Sequence, residues 1–414
     1  MTGDSSQRGV SRRALLGGSA LGLAIAGGAG YVIGEAGGSS ADSSANETVP
    51  FHGAHQAGVA TPAQARLVFA SFDLVSDEAD DLRRLLGIWT AGARAMTSGR
   101  PTGAIAANPE VPPADTGEAE GLPASRLTVT VGVGPDVFEK GGKDRLGLRA
   151  RRPSALEPLG PLPGDQLDPA RTGGDLCIQA CADDPQVAFH AVRNLLRAGR
   201  GLVELRWLQL GFGSNTKTTS DEPTPRNLMG FKDGTRNLKV DDAAQMERFV
   251  WVGDEEPQEW FRGGTYVVAR RIRMLIESWD RTALNEQERV IGRHKVSGAP
   301  IDQRAEFDEP NFKGRAIDVD AHIRLAAPED NQGVSILRRG YAYTDGIDPR
   351  TGLLDAGLFF VAFQRDPDKQ FAALQRRLGT SDALNEYIQH TGSGLFAILP
   401  GVRRGGYLGA GLFA

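Results

Sequence analysis

Cysteine is almost absent: Cys177 and Cys181 are the only two in 414 residues, which excludes a disulfide scaffold. They stand four apart in Asp175-Leu-Cys-Ile-Gln-Ala-Cys-Ala182. On a strand they would share a face yet lie roughly 13 Å apart at about 3.3 Å per residue, too far to bridge, so they read as buried small apolar residues. An excess of positive charge is missing too. Lys and Arg number 47 against 52 Asp and Glu, a net charge of −5, and the signs are mixed along most of the chain, which argues against nucleic acid or anionic lipid as partners. No short sequence repeat divides the chain. What is present, 40% hydrophobic and 24% charged residues, is ordinary globular composition and excludes disorder as the default.

The N-terminus reads as an address. Ser11-Arg-Arg-Ala-Leu-Leu16 precedes an uncharged, glycine-diluted stretch from Gly17 to Ile33, and paired arginines ahead of such a stretch form a twin-arginine export signal. The competing reading is a retained membrane anchor, since the uncharged length almost spans a bilayer; its glycine content weakens that reading. A Gly, Ser and Ala-rich linker follows to Pro50, with plausible cleavage sites near Ala45. Export in folded form lets a cofactor be inserted before crossing.

The rest alternates strand and helix signals. Strands are expected at 66–74, 126–133, 175–182 and 202–210, with helices at 77–95 and 185–199. That order, β-α-β-β-α-β, is the split arrangement of a ferredoxin-like unit. A second series has strands at 264–274, 337–343, 358–364 and 392–400 and helices at 285–292 and 367–378. The expected fold is α+β: two ferredoxin-like units whose packed antiparallel sheets leave a cleft for a flat cofactor. The expected segments are 1–45 (signal and linker), 46–210 (first unit) and 211–414 (connector and second unit).

The connector carries Asn227-Leu-Met-Gly-Phe-Lys-Asp-Gly-Thr-Arg-Asn237, in which Gly230 and Gly234 bracket Asp233. Taken alone, this is an ordinary turn whose carboxylate caps backbone N–H groups. Asp320-Ala-His-Ile-Arg-Leu325 follows, and Ile336-Leu-Arg-Arg-Gly-Tyr341 after it; a lone histidine is more often hydrogen-bonded than a ligand. In this order the three motifs resemble the marks of dye-decolorising peroxidases. The resemblance runs on through Phe51 to Gly58, Gly132-Val-Gly-Pro135, Gly292 to Pro300 and Gly392 to Gly401, so it covers essentially the whole chain after the signal. Within the family it is most similar to the twin-arginine-exported group that includes deferrochelatase/peroxidases of iron-uptake operons.

The resemblance implies an exported peroxidase with haem b, which would be non-covalent because the cysteines lack the C-x-x-C-H spacing of covalent attachment. Such an enzyme oxidises dyes, phenolics or similar donors with hydrogen peroxide through a high-valent iron-oxo state. By position His322 would be the proximal iron ligand, Asp233 the distal acid/base and Arg338 the distal cation, with Glu386 as the acidic partner of His322. Asp233 would shuttle the peroxide proton, implying an acidic optimum. Arg338 would offset developing charge and keep Asp233 ionised. Adjacent Arg339 is the competing cation, since neighbours on a strand face opposite ways; the resemblance selects Arg338. Gly234, Thr235 and Arg236 are expected at the haem edge near the propionates, and Leu358 and Phe360 in the distal pocket, where plain core packing is an equal alternative. Among the other histidines, His294 is the runner-up ligand. Trp260, Tyr341 and Tyr343 are expected as surface electron relays.

Implied partners are hydrogen peroxide, an organic or metal electron donor, the twin-arginine machinery and an iron-uptake system. The implied location is periplasmic, cell-surface or extracellular. A deferrochelatase acting on haem or ferrous iron, and a carrier without turnover, remain alternatives; the presence of both Asp233 and Arg338 argues against the carrier.

Overall fold

The computed structural model describes residues 46–414 apart from Ala107, Asn215 and Glu222, and the expected signal lies outside the described residues. Strand β1 (Arg66–Leu74) is buried on both faces: Leu67 and Phe69 point one way, and Val68, Ala70 and Phe72 the other. Its nearly unbroken apolar run is what a central strand requires. Helix α1 (Ala79–Met96) buries Leu82, Leu85, Leu86, Trp89 and Ala93, spaced three and four apart on one face. Strands β2 (Thr128–Val133) and β3 (Leu176–Ala182) follow. Helix α2 (Pro185–Ala198) opens on a proline in its first turn, and the Asp184 carboxylate accepts from the N–H groups of Gln186 and Val187. Strand β4 (Val203–Ser214) completes this half.

After helix α3 (Ala243–Phe249) the second half runs through β5 (Thr265–Met274), α4 (Ile276–Asp280), α5 (Leu284–Ile291) and the four-residue turn α6 (His322–Leu325). It continues with β6 (Leu337–Arg338), β7 (Tyr341–Ile347), β8 (Leu354–Gln364), α7 (Ala373–Ser381) and β9 (Ile388–Ile398). Pairing is antiparallel throughout the sheet. The first half has the order β2-β3-β1-β4, and the second repeats it as β7-β8-β5-β9. Both are ferredoxin-like, as expected.

The two sheets do not stay separate. β2 pairs with β9, β4 with β7 and β5 with β8, so eight strands close into a ring that leaves no free edge among them, and β6 adds to β8. Inward-pointing Leu67, Phe69, Trp207, Val267, Phe359 and Phe396 fill the interior, where the rings of Phe69 and Trp207 stack at 5.5 Å. Cys177 and Cys181 lie in this interior as free, buried thiols, and burial raises the pKa of both. Helices α1 and α2 cover the outer face of the first half, packed over Val68, Ala70 and Phe72. On the second half, outward-facing Ile272, Met274, Leu358, Phe360 and Ile388 line a cavity instead.

Two expected elements differ. The strand expected over 337–343 is interrupted between β6 and β7, because the Gly340 N–H leaves the ladder for Thr216 Oγ1 at 3.1 Å. The helix expected from 367 starts as a π turn (Asp368–Ala372) before continuing as α7. No helix among the described residues is long and apolar enough to cross a membrane.

Candidate active site

Every residue lining the cavity lies between Asn227 and His390. The connector and second half therefore build it, which corrects the expectation of a cofactor cleft between the two units: their sheets join into one ring, and the cavity lies on the outer face of the second half. Its empty space is about 1650 Å³, open mouth included. The floor is the outer face of β5, β8 and β9; the walls are the 227–236 loop, α6 and α7.

His322 opens α6, and its Nδ1 sits 2.6 Å from Asp382 Oδ2. A carboxylate only accepts, so a ring proton is on Nδ1, and in the neutral imidazole Nε2 keeps its lone pair. Nε2 has no hydrogen-bond partner among the described residues. Burial presses the ring pKa down, but the Asp382 carboxylate, helped by Asp233, outweighs it and the net shift is upward. Asp382 is almost fully buried and also holds the backbone. Its Oδ1 accepts from the Leu384 N–H at 2.8 Å, capping the short helical turn Ala383–Glu386. The Ala383 N–H donates to Asp320 O at 3.0 Å, binding this turn to the loop that carries His322.

This corrects the expected acidic partner. Glu386 is exposed and absent from the cavity wall, at the end of the turn that Asp382 begins. The cap position, an aspartate in Ser-Asp-Ala-Leu, was the local signal that could have found it.

Asp233 and Arg338 face each other across the cavity, Arg338 Nη1 donating to Asp233 Oδ1 at 2.7 Å. The Asp233 backbone is held by its N–H on Pro225 O at 2.9 Å, and the turn beyond needs glycine. Gly234 has φ +95°, and a Cβ there would stand 2.6 Å from the Lys217 nitrogen. Arg339 points the opposite way, fully buried, donating to Thr61 O and to Gln64 Oε1 at 3.1 Å. The alternation of neighbours on a strand thus separates the two arginines, and Arg338 alone reaches the cavity.

Gly234, Thr235, Arg236, Leu358 and Phe360 all line the cavity. Thr235 Oγ1 donates to Glu306 at 3.1 Å. Arg236 holds both oxygens of Glu329, at 2.5 and 3.2 Å, and this pairing raises its pKa. Arg293, not singled out from sequence, also lines the cavity. It is 5% exposed and, among the described residues, its side chain donates to the carbonyls of Gly298 and Glu306, at 2.6 and 2.9 Å. Burial, with Arg236 and Arg338 nearby, lowers its pKa to about 10. A buried cation without a bound carboxylate is a place that favours an added anion.

Other expectations change. Tyr341 and Tyr343, two apart on β7, both face the barrel interior and are fully buried, so neither is a surface relay. Trp260 is half-buried, its indole N–H on Arg151 O at 3.0 Å. His294 pairs with Glu288 at 3.0 Å outside the cavity. The second cavity histidine is His390, 4% exposed, beside Gln375 at 3.2 Å, with a pKa lowered to about 4 chiefly by burial and then by Arg270. No cluster of three or more His, Cys, Asp or Glu among the described residues is arranged to hold a bare metal ion. The His322 imidazole with its open Nε2, a largely apolar floor and arginines in the lining instead suit a flat macrocycle that brings its own iron and carries carboxylates.

Family models agree along the chain: Dyp-type peroxidase, N-terminal, matches residues 56–213, and Dyp-type peroxidase, C-terminal, matches residues 224–403. A curated relative, the deferrochelatase of Escherichia coli (strain K12), is 39% identical over 86% of this chain and 85% of its own. Among solved structures, an oxyferrous complex of DtpA from Streptomyces lividans superposes with a TM-score of 0.81 at 39% identity, covering 90% of this chain and 99% of that one. A haem complex of a DypB variant from Rhodococcus jostii gives 0.60 at 25% identity, covering 83% and 95%.

Proposed function

This chain belongs to the Dyp-type peroxidase family, and on that premise we propose that its cavity binds haem b on His322 and handles hydrogen peroxide with Asp233 and Arg338. The enzyme is a haem peroxidase, an oxidoreductase that acts on hydrogen peroxide with a donor substrate. The observation that supports the residue roles is the convergence, on one cavity, of the free Nε2 of His322 and the 2.7 Å Asp233–Arg338 pair.

When bound, haem supplies the iron at which peroxide is reduced. His322 Nε2 would hold that iron, and Asp382 would keep the ring in one tautomer and make it a stronger donor. Arg236 and Arg293 would meet the propionates, with Arg236 exchanging Glu329 for one of them. Asp233 would take the proton from the near oxygen of peroxide and return it to the departing oxygen, so that one carboxylate serves as base and then acid. Arg338, touching Asp233, would offset the negative charge that develops between these two transfers. Leu358 and Phe360 would leave room for peroxide while excluding bulky donors.

The test is the visible spectrum of haem-loaded protein before and after one equivalent of peroxide. Wild type should show a Soret band that changes with peroxide, His322→Ala a weakened or shifted band, and Asp233→Asn an intact band that responds slowly. An unchanged spectrum in fully loaded His322→Ala would remove His322 from the role.

The name of the Escherichia coli relatives favours a second reading of the same cavity, release of iron from haem; accumulation of metal-free porphyrin in an anaerobic incubation would support it. Export by the twin-arginine machinery rests on Arg12 and Arg13 ahead of the uncharged stretch. Replacing both with lysine should leave the protein in the cytoplasm. An iron-uptake system as partner rests on the resemblance to the exported group.

A further inference from the structure

β6 is only two residues long and lies at the edge of the sheet, beside β8. Arg338 is paired there with Ala362, but the neighbouring ladder bond runs from the Arg339 N–H to Val361 O at 2.7 Å. In an antiparallel ladder alternate residues turn both backbone groups away from their partner strand. Arg338 is such a residue, and among the described residues no further strand stands beside it to receive its N–H and C=O.

Both groups are taken by one side chain. The Arg338 N–H donates to Asn237 Oδ1 at 2.9 Å, and Asn237 Nδ2 donates to Arg338 O at 3.0 Å and to Lys217 O at 3.1 Å. Asn237 is 6% exposed, so these bonds are shielded from water. A carboxamide offers an acceptor and two donors in one plane, which is what a missing strand would present at this point. The backbone of the same residue acts on the other member of the pair: the Asn237 N–H donates to Gly234 O at 3.0 Å, tightening the turn immediately after Asp233.

We propose that Asn237 is the positioning residue that sets Arg338 against Asp233. It joins the turn that carries the carboxylate to the strand that carries the guanidinium, and it touches neither reacting group. The inference rests on the proposed roles of Asp233 and Arg338. Losing it would leave the cavity in place while letting the Arg338 backbone drift from the Asp233 turn. Displacements on the order of 1 Å in such a constellation cost about 100-fold in rate, and loss of a supporting partner costs about 10- to 100-fold.

The experiment compares haem-loaded full-length wild type, Asn237→Ala and Asn237→Asp, with Asp233→Asn as control, and follows the second-order rate with peroxide against pH. Haem content and melting temperature are measured beside it, and hydrogen exchange at the Arg338 amide is read in the haem-free proteins. Asn237→Ala should keep its haem and lose about 10- to 100-fold in the peroxide rate. Its pH profile should change shape, because misplacing the Asp233–Arg338 pair alters the proton-transfer step itself, whereas a merely structural loss lowers the rate alike at every pH. The Arg338 amide should lose protection in Asn237→Ala and keep part of it in Asn237→Asp, which retains the acceptor. If Asn237→Ala does not fold, the rate and pH profile of Asn237→Asp decide, with the same expectations. A rate within twofold of wild type, or a lower rate with an unmoved pH profile, overturns the proposal. If Asp233→Asn also reacts at the wild-type rate, the reading of Asp233 fails and takes this inference with it. If Asp233→Asn is slow while Asn237→Ala is normal, only the inference fails.

Discussion

Replacing Asp382 with asparagine separates the two roles of that side chain. The remaining carbonyl oxygen can still cap the Leu384 N–H, now at 2.8 Å, so the Ala383–Glu386 turn should survive. What is lost is the charged acceptor 2.6 Å from His322 Nδ1. With its carbonyl on the cap, the new amide turns N–H toward Nδ1, and the ring then prefers its proton on Nε2, the atom needed for iron. A hydrogen bond to a charged group contributes about 1.5–3 kcal/mol, which at about 1.4 kcal/mol per decade is roughly 10- to 150-fold in haem affinity. Titrating haem into the apoprotein at the Soret band measures this directly, and thermal unfolding of the apoprotein checks that the cap holds. Glu386→Gln is the parallel control: an exposed carboxylate outside the cavity wall should leave affinity unchanged. Asp382→Asn binding haem like wild type, or Glu386→Gln weakening it tenfold, would refute the assignment.

Three further outcomes are expected. Gly234→Ala should cost about 1–3 kcal/mol, because φ is +95° and the new Cβ meets the Lys217 nitrogen at 2.6 Å; denaturant unfolding measures it, and a neutral result would mean the turn relaxes freely. Arg339→Leu should lower stability by about 1–3 kcal/mol through the buried Gln64 Oε1 it strands while leaving the pH profile of the peroxide step alone, whereas Arg338→Leu should change that profile at a smaller cost in stability. His390 has a pKa near 4 in the folded state against about 6.5 when unfolded. The folded protein therefore binds fewer protons between these values, and stability falls as pH drops from about 6.5 toward 4 by up to about 3 kcal/mol. Urea unfolding of wild type and His390→Gln at pH 7 and 4.5 should show wild type losing more; equal losses would exclude His390 as the source.

Element order was legible because apolar periodicity is a local property. The 66–74 and 264–274 runs became β1 and β5, and Asp184-Pro185 marked the start of α2. The motifs around Asp233, His322 and Arg338 were legible as a resemblance, and all three side chains line one cavity. Closure of the sheets was not legible: β2 meets β9 across more than 250 residues, and nothing in either strand names its partner. Asp382 was hidden behind Glu386 for a related reason, since it stands 60 residues from His322. Both acids sit on one short turn, and only its packing against the 320–325 loop decides which carboxylate faces the imidazole.

By itself, then, the sequence determined what each segment is able to be: strand or helix from periodicity, a tight turn from Gly234, and a set of side chains fit for peroxide chemistry. Only the tertiary structure decided which of them meet. The closed barrel turns Tyr341 and Tyr343 inward and leaves Leu358 and Phe360 facing the cavity. It also places Arg293 and His390 in that cavity and hands the backbone of Arg338 to Asn237. The reason is physical: a strand's alternation specifies two faces, but which face is inside depends on what the rest of the chain brings to cover it.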